Sequence, residues 1–300
     1  MYTMIEKTKF MGFEAVRLEN AKKDELIVLT EVGPRIMSFR PEGGENFFYV
    51  NGSELTPGVK GSETWHSFGG TRLWISPETE LTYTPDNVPS EVLLEKNRLT
   101  VTSPVDKKTK LRKKITIEVQ AGSFTITYML RNEGKHLFTA GLWTLSCVQP
   151  LPGAEIYLPW GEESEWNIKD MKYWKSWLGV GSNIESAQWR PTNEFFIIRP
   201  SGEIGKVGFA NPWSFALYKT ENFSFIKKTE YIVTSHYPDG GCSCEVYTCS
   251  DFYEMETLSP IYTIKPGLTF THREKWWAGT EKVDLNSIRK TYDRFQTLIP

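Results

Sequence analysis

The chain has 300 residues, 39% of them apolar, and a net charge of -2 from 35 basic and 37 acidic side chains, a composition suited to a globular protein with a large core. The near-neutral balance supplies no field for a phosphate backbone, and the longest basic cluster, 107–114, is broken by Thr109 and Leu111, so nucleic acid is excluded as a partner. No apolar run approaches the ~18 residues of a membrane span, and the N-terminus has no uninterrupted apolar segment before a cleavage site, which excludes a membrane partner and points to a cytoplasmic protein.

Runs of alternating or β-branched residues predict strands at 26–30, 35–40, 98–103, 113–120, 124–130, 138–146, 194–198, 206–209, 214–219, 230–235, 242–248, 252–257 and 268–276. Turn chemistry separates them, as in Pro41-Glu42-Gly43-Gly44 and Lys265-Pro266-Gly267. In 115–119 and 124–128 the apolar residues fall on every second position (Ile115, Ile117, Val119; Phe124, Ile126, Tyr128), which gives each strand one buried face in an antiparallel sheet. The tail predicts a helix over about 284–297: Asp284 can cap it, and Leu285, Ile288, Tyr292 and Phe295 recur at helical spacing, to pack on the sheets. There is no linker composition and no repeat, so residues 1–300 are expected to form one domain.

The bias toward aromatics, with 11 Trp, 13 Tyr and 17 Phe, serves either a core or platforms on which sugar rings stack. The irregular stretch 151–191 holds Trp160, Trp166, Trp174, Trp177 and Trp189. It is expected to anchor itself on the sandwich or to form one wall of a pocket, with Trp160 and Trp166 as the exposed faces. The four cysteines, 147, 242, 244 and 249, are too sparse for a disulfide scaffold. Cys242 and Cys244, two apart on one predicted strand, should face the same way, but their spacing fits no structural zinc pattern, so no metal is expected.

Three segments concentrate chemistry. Trp65-His66-Ser67-Phe68-Gly69-Gly70-Thr71-Arg72-Leu73-Trp74-Ile75-Ser76-Pro77-Glu78 combines a titratable ring, a planar cation, stacking faces and a carboxylate with two glycines, a set that suits a sugar site. A hairpin with Arg72 and Glu78 as a surface ion pair is the alternative. In 236–248, His236 and Asp239 precede the glycine pair Gly240-Gly241. In 252–260, alternation puts Phe252, Glu254 and Glu256 on one face and Tyr253, Met255 and Thr257 on the other. That acidic face is a solvated surface or a cleft floor, with solvation the commoner outcome for such residues.

At these motifs, together with Lys206-Val207-Gly208-Phe209-Ala210-Asn211 and Glu254-Met255-Glu256-Thr257-Leu258-Ser259-Pro260, the sequence resembles the galactose mutarotase-like (aldose 1-epimerase-like) superfamily, and most closely its DUF4380 branch. The resemblance implies an all-β fold, the β-supersandwich of two large antiparallel sheets, with a sugar cleft on the concave sheet and no cofactor. It also implies Glu256 as the base and His66 as the acid of anomer interconversion. Arg72, Glu78, His236 and Asp239 would bind substrate, Arg72 and Asp239 by orienting hydroxyls, and Trp74 and Trp143 would stack on the ring. The segment that looks like the family's central acid-bearing strand carries Trp143 and Thr144 and no histidine, so His66, His236 or Asp239 must supply the acid. A sugar 1-epimerase is therefore weighed against a non-catalytic carbohydrate-binding domain. Glycoside cleavage ranks last, because Glu254 and Glu256 lie side by side rather than flanking a bond.

Overall fold

A computed structural model describes residues 3–162, 164–166, 168–177, 180–199, 201–280 and 285–298, and of Trp177 the backbone alone. Two antiparallel sheets face each other. The first runs, in spatial order, Met4–Phe10, Phe13–Glu19, Glu25–Leu29, Arg35–Arg40, Thr71–Ser76, Phe138–Val148, Tyr253–Leu258, Cys244–Thr248, Gly205–Phe209 and Lys172–Tyr173, with Tyr262–Ile264 added to the start of Phe138–Val148. The second runs Trp189–Pro191, Phe195–Ile198, Glu155–Pro159, Phe215–Lys219, Ser224–Lys228, Thr269–Gly279, Phe124–Asn132, Leu111–Val119, Arg98–Val105 and Glu91–Glu95. This is the expected β-supersandwich.

The period-two pattern explains the sandwich. Ile115, Ile117, Ile126 and Tyr128 of the second sheet meet Leu73, Ile75, Met255, Val246 and Val207 of the first in one apolar core. Phe39, Phe47, Phe48, Phe124, Phe225 and Trp276 form an aromatic cluster within it, mostly edge to face at centroid distances of 5.1–6.4 Å. Three ionisable side chains are also enclosed between the sheets. Lys227 Nζ lies 3.1 Å from Glu274 Oε1 and donates to Ser146 Oγ and the Met255 carbonyl, while His272 Nε2 sits 2.7 Å from Thr257 Oγ1. Burial pushes His272 down to about 4 and so keeps it neutral.

The C-terminal helix, Ile288–Leu298, begins later than its sequence pattern suggests, and the expected cap Asp284 lies outside the described residues. Ile288 and Phe295, with Leu285 and Tyr292, cover Phe195, Phe215, Leu217, Ile226 and Trp277 on the outer face of the second sheet. Among the described residues no helix is long and apolar enough to cross a membrane.

Several local expectations change. Residues 230–235 form a loop, with Ile232 and Val233 exposed and Tyr231 stacked on Tyr237. Short strands interrupt the stretch 151–191. The strand expected at 242–248 starts at Cys244, so the two cysteines diverge: Cys242 Sγ donates to the Asp239 carbonyl, and Cys244 turns into the sandwich core. Glu91–Glu95 is an edge strand with Val92, Leu93 and Leu94 all exposed.

Candidate functional site

Five neighbouring strands of the first sheet send their alternate, polar positions away from the core. In spatial order these are Arg72 and Trp74; Trp143 and Cys147; Glu254 and Glu256; Glu245 and Tyr247; and Lys206. Cross-strand register sets the neighbours: Trp74 lies opposite Trp143, and Glu245 opposite Glu256.

Arg72 is buried and donates through Nη2 to Glu254 Oε1 at 2.9 Å, with its guanidinium 4.1 Å from the Trp74 ring centroid. Burial works to lower its affinity for the proton, but Glu254 and Cys147 together outweigh that and hold Arg72 above its ordinary value. Glu254 and Glu256 are 6% and 1% exposed, so the solvated face expected for two carboxylates on one strand is not found. The ion pair expected between Arg72 and Glu78 is not found either: Glu78 accepts from the Tyr83 hydroxyl, and burial raises its carboxyl.

Glu256 receives the Trp143 Nε1–H at 2.7 Å, and Lys206 Nζ stands 3.3 Å away. The same ammonium is 2.7 Å from Glu245 Oε2, 4.5 Å from the Trp143 ring centroid and 5.3 Å from that of Trp174. Burial raises Glu245, and it raises Glu256 still more clearly, well above the usual carboxylate range, against the pull of Lys206. Burial works to lower Lys206, but Glu256 and Glu245 together keep it charged. The sequence marked Lys206 and Glu245 only as parts of motifs. Their alternation with core residues was the available signal: Lys206 is adjacent to Val207, and Glu245 lies between Cys244 and Val246, which places both on the side of their strands away from the core.

Half-buried groups ring this floor. Trp65 and Tyr83 pack against Trp74 at 5.6 and 5.0 Å between ring centroids, and Asp239 accepts from the Ser76 hydroxyl at 3.1 Å. Asp239 holds a left-handed conformation (φ 52°) in the turn Pro238–Gly241, a backbone that aspartate tolerates better than most residues.

The remaining expected residues lie elsewhere. His66 stacks on Phe68, with Nδ1 2.6 Å from Glu54 Oε2 and Nε2 3.3 Å from Ser62 Oγ, and has no hydrogen bond to the residues around Glu256. His236 is exposed on its loop. Gly69 and Gly70 serve the backbone rather than a ligand: both have positive φ, and a Cβ would fall 2.3 Å from the Tyr49 carbonyl oxygen or 2.4 Å from that of Ile36. Of the tryptophans in 151–191, Trp160 packs on Phe196 and Phe209, Trp166 is 83% exposed, and it is Trp174 that faces Lys206. The side chain of Trp177 lies outside those described.

No protein-family model matches the chain, and no curated protein does. Solved structures do. The chain is similar to the Slr1438 protein from Synechocystis sp. PCC 6803, with a TM-score of 0.59 at 12% identity over 91% of this chain and 99% of that one. It is similar to a TPR-domain containing protein from Parabacteroides distasonis, with a TM-score of 0.59 at 14% identity over 92% of this chain and 48% of that one, about half of its length. It is also similar to a galactose mutarotase-like protein from Clostridium acetobutylicum, with a TM-score of 0.57 at 10% identity over 93% and 99% of the two chains. At such identities the likeness is one of fold, and the fold is galactose mutarotase-like.

Proposed function

We propose that the chain binds a neutral saccharide over the polar face of the first sheet, as a carbohydrate-binding protein of the mutarotase-like class. The reading keeps the chain in the DUF4380 branch that its glycine-rich motifs resemble. One observation carries the proposal: the half-buried rings of Trp65, Tyr83 and Trp174 stand beside a floor on which Glu78 and Asp239 accept hydroxyl hydrogens from Tyr83 and Ser76. Sugar hydroxyls can take the place of those donors while the C–H face of the ring stacks on an indole. Binding is favoured over turnover because Glu256 is enclosed by Trp143 and Lys206, Trp143 stands where the resemblance calls for the acid, and His66 is engaged with Glu54. The four free cysteines suit the cytoplasm.

A second reading, a sugar 1-epimerase with Glu256 as base, draws support from the raised carboxyls of Glu256 and Glu245, which are tuned toward neutrality as acid–base groups must be. Tryptophan fluorescence and saturation-transfer NMR with hexoses, pentoses and oligosaccharides test both. Binding without faster anomer exchange is expected, faster exchange would establish the second reading, and neither binding nor exchange would refute both.

A further inference from the structure

Glu245 and Glu256 occupy directly opposed positions on adjacent antiparallel strands, and both point away from the sandwich core. Opposite Glu245 on its other side is Gly208, where a Cβ would lie 2.7 Å from Glu245 Cγ. The missing side chain is the room into which this carboxyl fits. Both residues are 1% exposed, and Glu245 Oε1 and Glu256 Oε1 are buried without a hydrogen-bond donor. Two ionised carboxylates could not persist side by side without water, and one cation shared between them leaves one charge uncompensated.

We propose that Glu245 and Glu256 hold one proton between them, a carboxyl–carboxylate pair with Lys206 as its counter-cation, and that this pair, not a histidine, carries the exchangeable proton of the site floor. The inference builds on the reading of this face as the saccharide site. A shared proton supplies the missing donor for the orphaned oxygens. It also balances the most deeply buried charges of the floor: Arg72 and Lys206 are positive, and Glu254 and the pair each contribute one negative charge, with Asp239 and Glu78 standing outside this set at the rim. The groups facing the pair act in the same direction. Asp239 from the turn and Glu254 from the neighbouring position disfavour a second negative charge, and Lys206 and the Trp143 N–H stabilise the first. Glu78 and Arg72 stand farther out, on and beyond the strand Thr71–Ser76, and the adjacent thiols of Cys242 and Cys244 are pushed up by burial and stay neutral. The four histidines are otherwise placed: His66 with Glu54, His272 between the sheets with Thr257, and His136 and His236 out in solvent. Because the two sites interact, the proton belongs to the pair and not to either residue.

Infrared difference spectra of the whole chain carrying carboxyl-labelled glutamate, titrated from acid to alkaline pH without sugar, test this. The expected result is a protonated-carboxyl band that persists at neutral pH, disappears at alkaline pH, and is lost at neutral pH in both Glu245→Gln and Glu256→Gln. Absence of the band in the unmodified chain overturns the pair, as does a band that survives in both variants. Should a Gln variant fail to fold, Lys206→Arg keeps the cation but moves it, and a band midpoint identical to that of the unmodified chain also overturns the proposal. Absence of the band leaves the saccharide reading intact, whereas a band in a chain that binds no saccharide supports the pair and refutes that reading.

Discussion

Replacing Lys206 with methionine keeps most of the side-chain volume and removes the one cation that stands 2.7 Å from Glu245 and 3.3 Å from Glu256. With all three side chains no more than 3% exposed, water cannot take over the lost partner. Breaking a buried ion pair in this way costs about 3–5 kcal/mol. The carboxyls can escape part of that cost by taking up protons, so the penalty depends on pH with a determined sign. Burial already raises both groups in the folded chain, and losing the ammonium raises them further. The folded state then holds more protons than the unfolded state over a wider range above the ordinary carboxylate value, and stability falls as pH rises through that range. Near pH 8 the full ~3–5 kcal/mol is expected. Near pH 5, where both carboxyls can be neutral, the cost falls to roughly 1 kcal/mol, that of a poorly satisfied polar group. Urea unfolding at the two pH values measures the difference, with an unchanged m-value showing that the extent of unfolding is the same. An equal penalty at both pH values, or one below ~1 kcal/mol near pH 8, would refute the account of the floor as a charge cluster enclosed without water.

Phe39→Ala, which empties the centre of the aromatic cluster, is expected to cost about 3–5 kcal/mol in the same assay. Gly70→Ala forces a Cβ against the Ile36 carbonyl at a positive φ and should destabilise by roughly 1–3 kcal/mol, with a fall in Tm as the simplest readout. For His272, held down at about 4 by burial, the stabilising neutral form is fully present above the ordinary histidine range and is lost as pH falls toward 4. His272→Gln should therefore flatten the stability curve between about pH 6.5 and 4 by about 3 kcal/mol, visible as a parallel change in denaturation midpoint with pH. Trp174→Ala is expected to weaken saccharide binding about tenfold or more, in line with the loss of a stacking face, with titration calorimetry as the check.

The face on which Glu254 and Glu256 lie was legible from alternation alone, as were the buried faces of 115–119 and 124–128 and the apolar stripe of the last helix. Their burial was not legible, because a carboxylate becomes a floor group only when a neighbouring strand brings a cation to it. Arg72 and Lys206 come from chain segments far from residues 254–256. His66 looked like a site residue because it precedes Gly69-Gly70, yet those glycines admit the backbone near Tyr49 and Ile36, and the ring turns to Glu54. The 230–235 segment has strand-like residues but no partner in either sheet, and without a ladder local preference does not make a strand. Conversely, the first strand, Met4–Phe10, is rich in charge and escapes a search for apolar runs because it is an edge that only Phe13–Glu19 covers.

The central strands of the floor, Thr71–Ser76, Phe138–Val148 and Tyr253–Leu258, are neighbours in space but come from the first, middle and last parts of the chain. Bringing them together closes long loops before any contact rewards the closure, which places this protein among slow folders of high contact order. A chain emerging from the ribosome has the hairpins of both sheets well before Tyr253–Leu258 exists. Until that strand arrives, Phe138–Val148 offers an unpaired edge, Arg72 has no Glu254, and Lys206 and Glu245 have no Glu256. The floor is thus among the last parts of the protein to be assembled, and nascent chains are exposed to aberrant strand pairing for most of their synthesis.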